Sequence, residues 1–322
     1  MLGAVLVEPL RIEVVERKLP DLGPTDVRVR VTDCGVCASD VDFWQGKSQR
    51  PMPEPLGHEP AGIVVEVGRD VTSIAPGDRV ACWVENGGFS EELVTDERFC
   101  IAVGPDCPHP EIAEPLGCVV NAVELAAPAL ADDIVIVGAG FMGNLLQLVV
   151  SLRGPRSVTV ADIRPAALER ALSFGATTVV DTSRETLADH VASSTGGGAD
   201  VVFEVTGAQA GLDLAESATR MSGKLCIVGY HQGGAREIRL GYWNWMAFDI
   251  VNAHFRDPTT ILAGMRKALR LVEACALDVA PLMTSAFPLE RIDEAFESAV
   301  AKPDAFVKAI VQPNGAATGR SS

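Results

Sequence analysis

The sequence predicts an α/β protein in two parts, a β-rich unit and a doubly wound unit on a parallel sheet. Three observations carry this. Short apolar runs separated by Gly- and Pro-containing turns fill the first third of the chain. Beyond residue 130, apolar runs alternate with helical stretches. A glycine fingerprint, Gly138-Ala139-Gly140-Phe141-Met142-Gly143, lies where the first of those runs meets the first helix.

The chain has 322 residues, enough for two domains of ordinary size, and 48% of it is apolar. A nucleic-acid binder needs a basic face, and a net charge of −16 with a pI of about 4.7 argues against that class of partner. The opening Met1-Leu2-Gly3-Ala4-Val5-Leu6 carries no basic region of the secretory kind, and a cytoplasmic protein is expected. The uncharged stretch from Ile134 to Leu152 approaches bilayer length, ~20 residues. Its glycines, Asn144 and Gln147 instead fit a buried strand, a phosphate turn and a helix, so no membrane partner is expected.

In order along the chain, strands are expected at Val27-Val31, Gly62-Val67 and Arg79-Trp83, punctuated by Leu22-Gly23-Pro24, Gly68-Arg69-Asp70 and Ala75-Pro76-Gly77-Asp78. This pattern suggests a barrel or sandwich. Ile134-Val137 reads as a buried parallel strand and Phe141 to Arg153 as a helix. Ser157-Ala161 follows as a strand, then a helix from Pro165 to Phe174 ended by Gly175. Val201-Val205, Leu225-Val228 and Asp249-Ala253 continue the sheet, and Asp257-Pro258 starts a helix with a cap residue followed by Pro. An amphipathic helix from Ile292 to Val300 precedes a last strand, Val307-Val311, which can rejoin the first domain. The small, polar tail from Pro313 to Ser322 is expected to be disordered.

The fingerprint's context points to a dinucleotide. Gly138 permits a tight turn, Gly140 a close pyrophosphate, and Gly143 close packing of helix on sheet, with Phe141 and Met142 opening the helix. Asp162 ends the second strand, where a carboxylate accepts from ribose hydroxyls and repels a 2′-phosphate, so NAD is expected over NADP. Arg164 is the complication, because it can pair with a 2′-phosphate if Asp162 turns away. A bland alternative makes Asp162 a cap for the next helix. Gly207, Val228 and Gly229, which follow later strands, complete the expected cofactor contacts.

Cys37, His58 and Glu59 offer a sulfur, a nitrogen and an oxygen suited to a catalytic zinc, and Glu114 is a fourth candidate. Taken singly, each has an ordinary reading as a buried thiol, a turn histidine or a solvated glutamate. The eight cysteines (34, 37, 82, 100, 107, 118, 226 and 275) are otherwise scattered and read as small buried apolar residues, with Cys34-x-x-Cys37 a weak candidate redox pair.

The motifs Cys34-Gly35-Val36-Cys37-Ala38-Ser39-Asp40, Leu56-Gly57-His58-Glu59, Pro76-Gly77-Asp78-Arg79-Val80, Gly88-Phe89-Ser90-Glu91 and Glu114-Pro115-Leu116 resemble the medium-chain dehydrogenase/reductase superfamily, the zinc alcohol dehydrogenase relatives. The resemblance runs over nearly the whole chain. The His-Glu pair and Glu-Pro-Leu motif are similar to the polyol (sorbitol dehydrogenase-like) branch. It implies a GroES-like catalytic domain, 1–127 plus 279–322, interrupted by a Rossmann domain, 128–278. It also implies that Cys37, His58 and Glu59 hold zinc, and that Glu114 binds it directly or through water.

Two departures stand out. The four-cysteine structural zinc lobe of many relatives is missing between Val80 and Gly87-Gly88, so one zinc per chain is expected. Asp42 occupies the place where relatives often carry a proton-relaying histidine, while Ser39 keeps the place of the first relay hydroxyl. The implied activity is hydride transfer between a secondary alcohol (polyol, cyclitol or sugar-like) and NAD, in a homodimer or homotetramer. A zinc-free quinone or enone reductase and a non-catalytic dinucleotide-binding protein are the competing readings.

Further candidates are less specific. Phe43 and Trp44 either wall the pocket or pack in the core. Trp243-Asn244-Trp245 serves an interface, a substrate contact or packing, and His254 or Arg256 lies at the mouth of the cofactor cleft. His109, His190 and His231 are left as structural or surface residues.

Overall fold

The computed structural model describes residues 1–47 and 50–315. Most of the tail expected to be disordered lies outside them. Contacts divide the chain into Met1–Pro115 with Met265–Ser322, and Leu116–Gly264. Both boundaries fall inside helices, Ala113–Ala126 and Pro258–Glu273.

The first unit is built on a seven-stranded sheet. Its path runs Ser285–Pro288, Ala309–Gln312, Asp26–Gly35, Glu59–Val67, Arg79–Cys82 and Cys100–Val103, and Glu92–Asp96 also pairs with Asp26–Gly35. Asp26–Gly35 begins with alternating buried and more open residues, as expected of a strand with one face on a core. Its last three residues, Asp33 to Gly35, are all buried, and this end lies against Glu59 and the final strand. The last strand therefore returns to the first unit, pairing Ile310 with Gly35 and Val311 with Cys34. A small sheet of Arg11–Glu16, Leu2–Glu8 and Glu54–Pro55 completes the unit. None of its three strands is among those expected from the sequence, although Val5 and Leu6 are core residues.

Phe43 and Trp44 end a short helix, Ala38–Trp44, and are both buried. Trp44 packs on Phe296 at 5.8 Å between ring centroids, and Phe296 meets Phe89 edge-on at 6.0 Å. The two aromatics thus belong to the core. Burying a side chain of this size contributes about 1.5–3 kcal/mol.

The second unit carries a wholly parallel six-stranded sheet in the order Thr178–Asp181, Ser157–Asp162, Asp133–Val137, Ala199–Glu204, Thr219–Ile227, Asp249–Asn252. Asp133–Val137 is buried throughout, as a strand covered on both faces must be. The uncharged stretch is its latter part followed by the helix Phe141–Ser151, and no helix among the described residues is long and apolar enough to cross a membrane. The expected helix at Asp257-Pro258 runs to Glu273, with Asp257 accepting from the N–H groups of Thr259 and Thr260. Thr178–Asp181 was not foreseen, being short and only partly buried.

Trp243 lies in the helix Leu240–Met246, buried, with its indole N–H on Glu216, whereas Trp245 is exposed.

Candidate active site

Cys37 precedes the helix Ala38–Trp44 and is its N-cap residue. Asp40 accepts from the Cys37 N–H at 3.1 Å, which fixes the turn that presents the thiol. His58 and Glu59 arrive from the next long strand. Gly57 sits at φ +93°, and a Cβ there would meet the Phe89 backbone nitrogen at 2.7 Å, so only glycine makes this approach. Phe89 and Gly88 donate to the carbonyls of Leu56 and Gly57 at 3.1 and 2.9 Å. The Gly88-Phe89 segment thereby braces the turn carrying His58.

One ligand atom each of Cys37, His58 and Glu59 lies within 4.8 Å of the others, the one such group among the described residues. Glu59 is 1% exposed, and its Oε1 has no hydrogen-bond partner. A buried carboxylate oxygen beside a thiol and an imidazole, lacking a donor of its own, fits a divalent zinc ion. Glu114, in the first turn of Ala113–Ala126, is not in this tight group, although its charge reaches Lys308.

Two residues that the sequence reading did not single out complete the surroundings. Lys308 Nζ lies 2.6 Å from Glu59 Oε2, and both side chains are almost wholly buried. Gly35 makes room for them, since a Cβ there would meet Glu59 Oε2 at 2.0 Å and Lys308 Cε at 2.9 Å. Burial pulls the Lys308 pKa down, but the charges of Glu59, Cys37 and Glu114 outweigh it and hold the ammonium above its ordinary range. The second is Asp40, whose Oδ1 lies 3.3 Å from His58 Nδ1. Burial favours neutral forms of both. The pair's mutual attraction prevails, lowering the Asp40 pKa and raising that of His58 in the metal-free protein. A lysine inside the apolar run Phe306-Val307-Lys308-Ala309-Ile310-Val311 was the available signal for the first.

Ser39 lies in the first turn of its helix, half-buried, and Asp42 pairs with Lys47 at 2.8 Å. The structure thus brings Asp40 rather than Asp42 to the imidazole.

In the second unit Gly138 adopts φ +113°. A Cβ on Gly143 would strike the Gly138 carbonyl oxygen at 1.9 Å, while one on Gly140 would meet nothing within 4 Å. The cradle is therefore tight beneath and open above Gly140, as a phosphate approaching backbone N–H groups requires. Phe141 and Met142 begin the helix. Asp162 accepts from the Ala139 N–H at 2.8 Å and from the N–H groups of Ile163 and Arg164. The Arg164 guanidinium also lies on Asp162, at 3.1 and 3.2 Å, so the two are paired and neither turns away.

Gly207, Val228 and Gly229 converge on Glu204. Its carbonyl accepts from the N–H groups of Val228 and Gly229, both at 2.8 Å, and its carboxylate accepts from the Gly207 N–H at 3.0 Å. His231 reaches the other Glu204 oxygen at 2.9 Å, so this histidine has a firm partner the sequence reading did not give it. His109 and His190 likewise face Glu111 and Glu185, at 3.0 and 3.3 Å. His254 Nε2 lies 3.1 Å from the Gly229 carbonyl oxygen, and the Arg256 guanidinium sits over the Tyr230 ring.

Comparison with known proteins agrees with this architecture. Residues 23–105 match the family model of the alcohol dehydrogenase GroES-like domain, and 133–267 that of the zinc-binding dehydrogenases. The chain belongs to the medium-chain dehydrogenase/reductase superfamily, as a zinc-dependent alcohol dehydrogenase of its polyol dehydrogenase-like branch. Sorbitol dehydrogenase of Gallus gallus is 30% identical, over 90% of each chain. That of Mus musculus is 29% identical over 92% of each. A zinc-binding dehydrogenase from Sinorhizobium meliloti, solved bound to NADP, superposes with a TM-score of 0.86 at 25% identity, over 97% of this chain and 99% of its own. Galactitol-1-phosphate dehydrogenase from Escherichia coli shares the fold, with a TM-score of 0.87 at 23% identity, over 97% and 100%. Zinc and NAD(P) fit this family, a small-molecule substrate follows from it, and neither competing reading is favoured.

Proposed function

We propose that the protein oxidises a secondary alcohol of the polyol, cyclitol or sugar-like class with NAD, using one catalytic zinc per chain. The observation that carries this reading is the group of Cys37, His58 and Glu59, whose ligand atoms lie within 4.8 Å of one another around an unpartnered carboxylate oxygen. The sorbitol dehydrogenase relatives supply the substrate class.

In this reading Cys37, His58 and Glu59 hold the metal, with Glu114 the fourth donor, directly or through water. Zinc held there would supply a Lewis acid for the substrate hydroxyl, and a bound nicotinamide would supply the hydride acceptor. The chain's own groups do the rest. Asp40 faces Nδ1 of His58, fixing the ring and leaving Nε2 for the metal. In the metal-free pocket Lys308 offsets the buried charge of Glu59, so that carboxylate stays ionised and ready to exchange its partner for the metal. Ser39 passes the alcohol proton outward, and Asp42, partly exposed beside Lys47, receives it near solvent.

The open backbone at Gly140 and the helix that follows take the pyrophosphate. Phe141 and Met142 supply the first N–H groups of that helix. Asp162 takes the adenosine ribose and, with Arg164 tied to it, favours NAD over NADP. Gly207, Val228 and Gly229, held by Glu204, line the far half of the cofactor site. A cytoplasmic homodimer or homotetramer is part of the same reading. It is supported by exposed apolar groups at the edge strand Asp249–Asn252 and the helix before it, Ile250, Leu240 and Trp245.

Elemental analysis of protein purified without chelators, with NADH formation followed over a polyol and cyclitol panel, tests the proposal. About one zinc per chain with NAD-dependent turnover is expected. Full activity of a zinc-free Cys37→Ser protein would sink it.

A further inference from the structure

Cys82 ends the strand Arg79–Cys82 and Cys100 begins the strand Cys100–Val103, and antiparallel pairing sets the two residues directly opposite each other. The Trp83 N–H donates to the Phe99 carbonyl at 3.0 Å, which makes Trp83 and Phe99 a hydrogen-bonded pair. Cys82 and Cys100, one step along, are therefore a non-hydrogen-bonded pair, the kind in which Cα atoms approach to about 4.5 Å. That separation lies within the range a disulfide spans, about 4.4–6.8 Å. Their sulfurs already face each other at 3.7 Å, in the buried core. No other pair of cysteine sulfurs among the described residues is recorded in such contact.

We propose that Cys82 and Cys100 are a latent disulfide, closing when the protein meets a small peroxide. One sulfur, as thiolate, attacks a peroxide oxygen; the O–O bond breaks, hydroxide leaves and a sulfenic acid forms. The second sulfur attacks the first, the S–O bond breaks and water leaves. The two thiols together give up two electrons and two protons, and hydrogen peroxide becomes two molecules of water.

Access comes from the edge of the sheet, because Cys100–Val103 is the terminal strand of its path and has a neighbour on one side only. Edge strands open more readily than central ones. The shared hydrogen bond with Cys100, together with burial, holds the Cys82 thiol well above its ordinary range, so closure is slow beside the reaction of an exposed thiol. The closed loop contains Gly88 and Phe89, the two residues bonded to the turn before His58. Oxidation thus staples shut the segment that braces one candidate metal ligand.

The test uses the full-length wild-type holoenzyme. Hydrogen peroxide is added until the exposed Cys275 is consumed, as read by a sulfenic-acid trap; the protein is then denatured, alkylated, digested and weighed by mass spectrometry. The expected result is a cross-linked peptide pair joining Cys82 to Cys100, lost on treatment with dithiothreitol. In Cys100→Ala the pair is absent and Cys82 remains alkylatable. Complete alkylation of Cys82 and Cys100 in wild-type protein whose Cys275 has reacted would overturn the proposal, as would a cross-link from Cys82 to any other cysteine.

Discussion

The ammonium of Lys308 rests 2.6 Å from a carboxylate oxygen of Glu59, and the two side chains are 5% and 1% exposed. Breaking such a pair leaves a buried charge uncompensated, at a cost of about 3–5 kcal/mol. Lys308→Met is expected to lower the stability of the zinc-free protein by about that amount, and adding Glu59→Gln is expected to restore most of it. Urea unfolding of the two variants checks both outcomes.

The same lysine opposes a metal. Its positive charge acts on Cys37 and Glu114 as well as Glu59. In Lys308→Met, zinc is therefore expected to bind more tightly, by roughly tenfold, while the apoprotein is weaker. Competition against a fluorescent chelator measures the affinity. Zinc binding that weakens in this variant would show the lysine organising Glu59 for the metal instead of competing for it.

Asp40 aligns His58 from behind. Asp40→Asn keeps the shape and removes the charge, and is expected to weaken zinc binding about 10–100-fold. The same chelator titration reads it. Because Asp40 also accepts from the Cys37 N–H, Asp40→Ala is expected to do more damage than Asp40→Asn.

In the proposed reading, cofactor choice rests on Asp162 and Arg164. Asp162→Ala removes the carboxylate that repels a 2′-phosphate and frees the guanidinium now lying on it. The ratio of kcat/KM for NAD to that for NADP is expected to fall at least tenfold, about 1.4 kcal/mol. Initial rates with each cofactor decide the matter.

Asp162 also ties stability to pH. Burial pushes its pKa up, but the Arg164 side chain and the Ala139 N–H outweigh burial, so the folded-state pKa lies below the ordinary 3.8. A depressed carboxyl pKa gives stability that is complete above the unfolded value and is lost as pH falls through the folded one. The melting temperatures of wild-type and Asp162→Asn protein are therefore expected to stay apart above pH 3.8 and to converge below it. Calorimetry across that interval tests the sign.

Much of this was legible because periodic and local signals carry it. Runs such as Ile134-Val137 and the spacing of Gly138, Gly140 and Gly143 are set by neighbours in sequence, and the structure places a strand and a helix where they indicate. Leu2–Glu8 and Arg11–Glu16 were missed because few turn signals set them off. Lys308 and Asp40 were missed for another reason. Each matters through a partner that only the fold brings close, and a charge in an apolar strand says that it is paired without saying with what. Phe43 and Trp44 could not be assigned from sequence, since a pocket wall and a core share the same residue types.

The partnership of Lys308 with Glu59 has a consequence for how the protein is made. Glu59 leaves the ribosome well before its counter-charge, which lies on the segment just before the strand that pairs with Asp26–Gly35. The stretch 116–264, by contrast, contains every strand of its own parallel sheet. During synthesis the middle of the chain can therefore settle first, while the opening segment waits with an unneutralised carboxylate in a half-built core. Loss of the strand Ala309–Gln312 should therefore be felt at the group of Cys37, His58 and Glu59, which Lys308 reaches only after the whole second unit has been made.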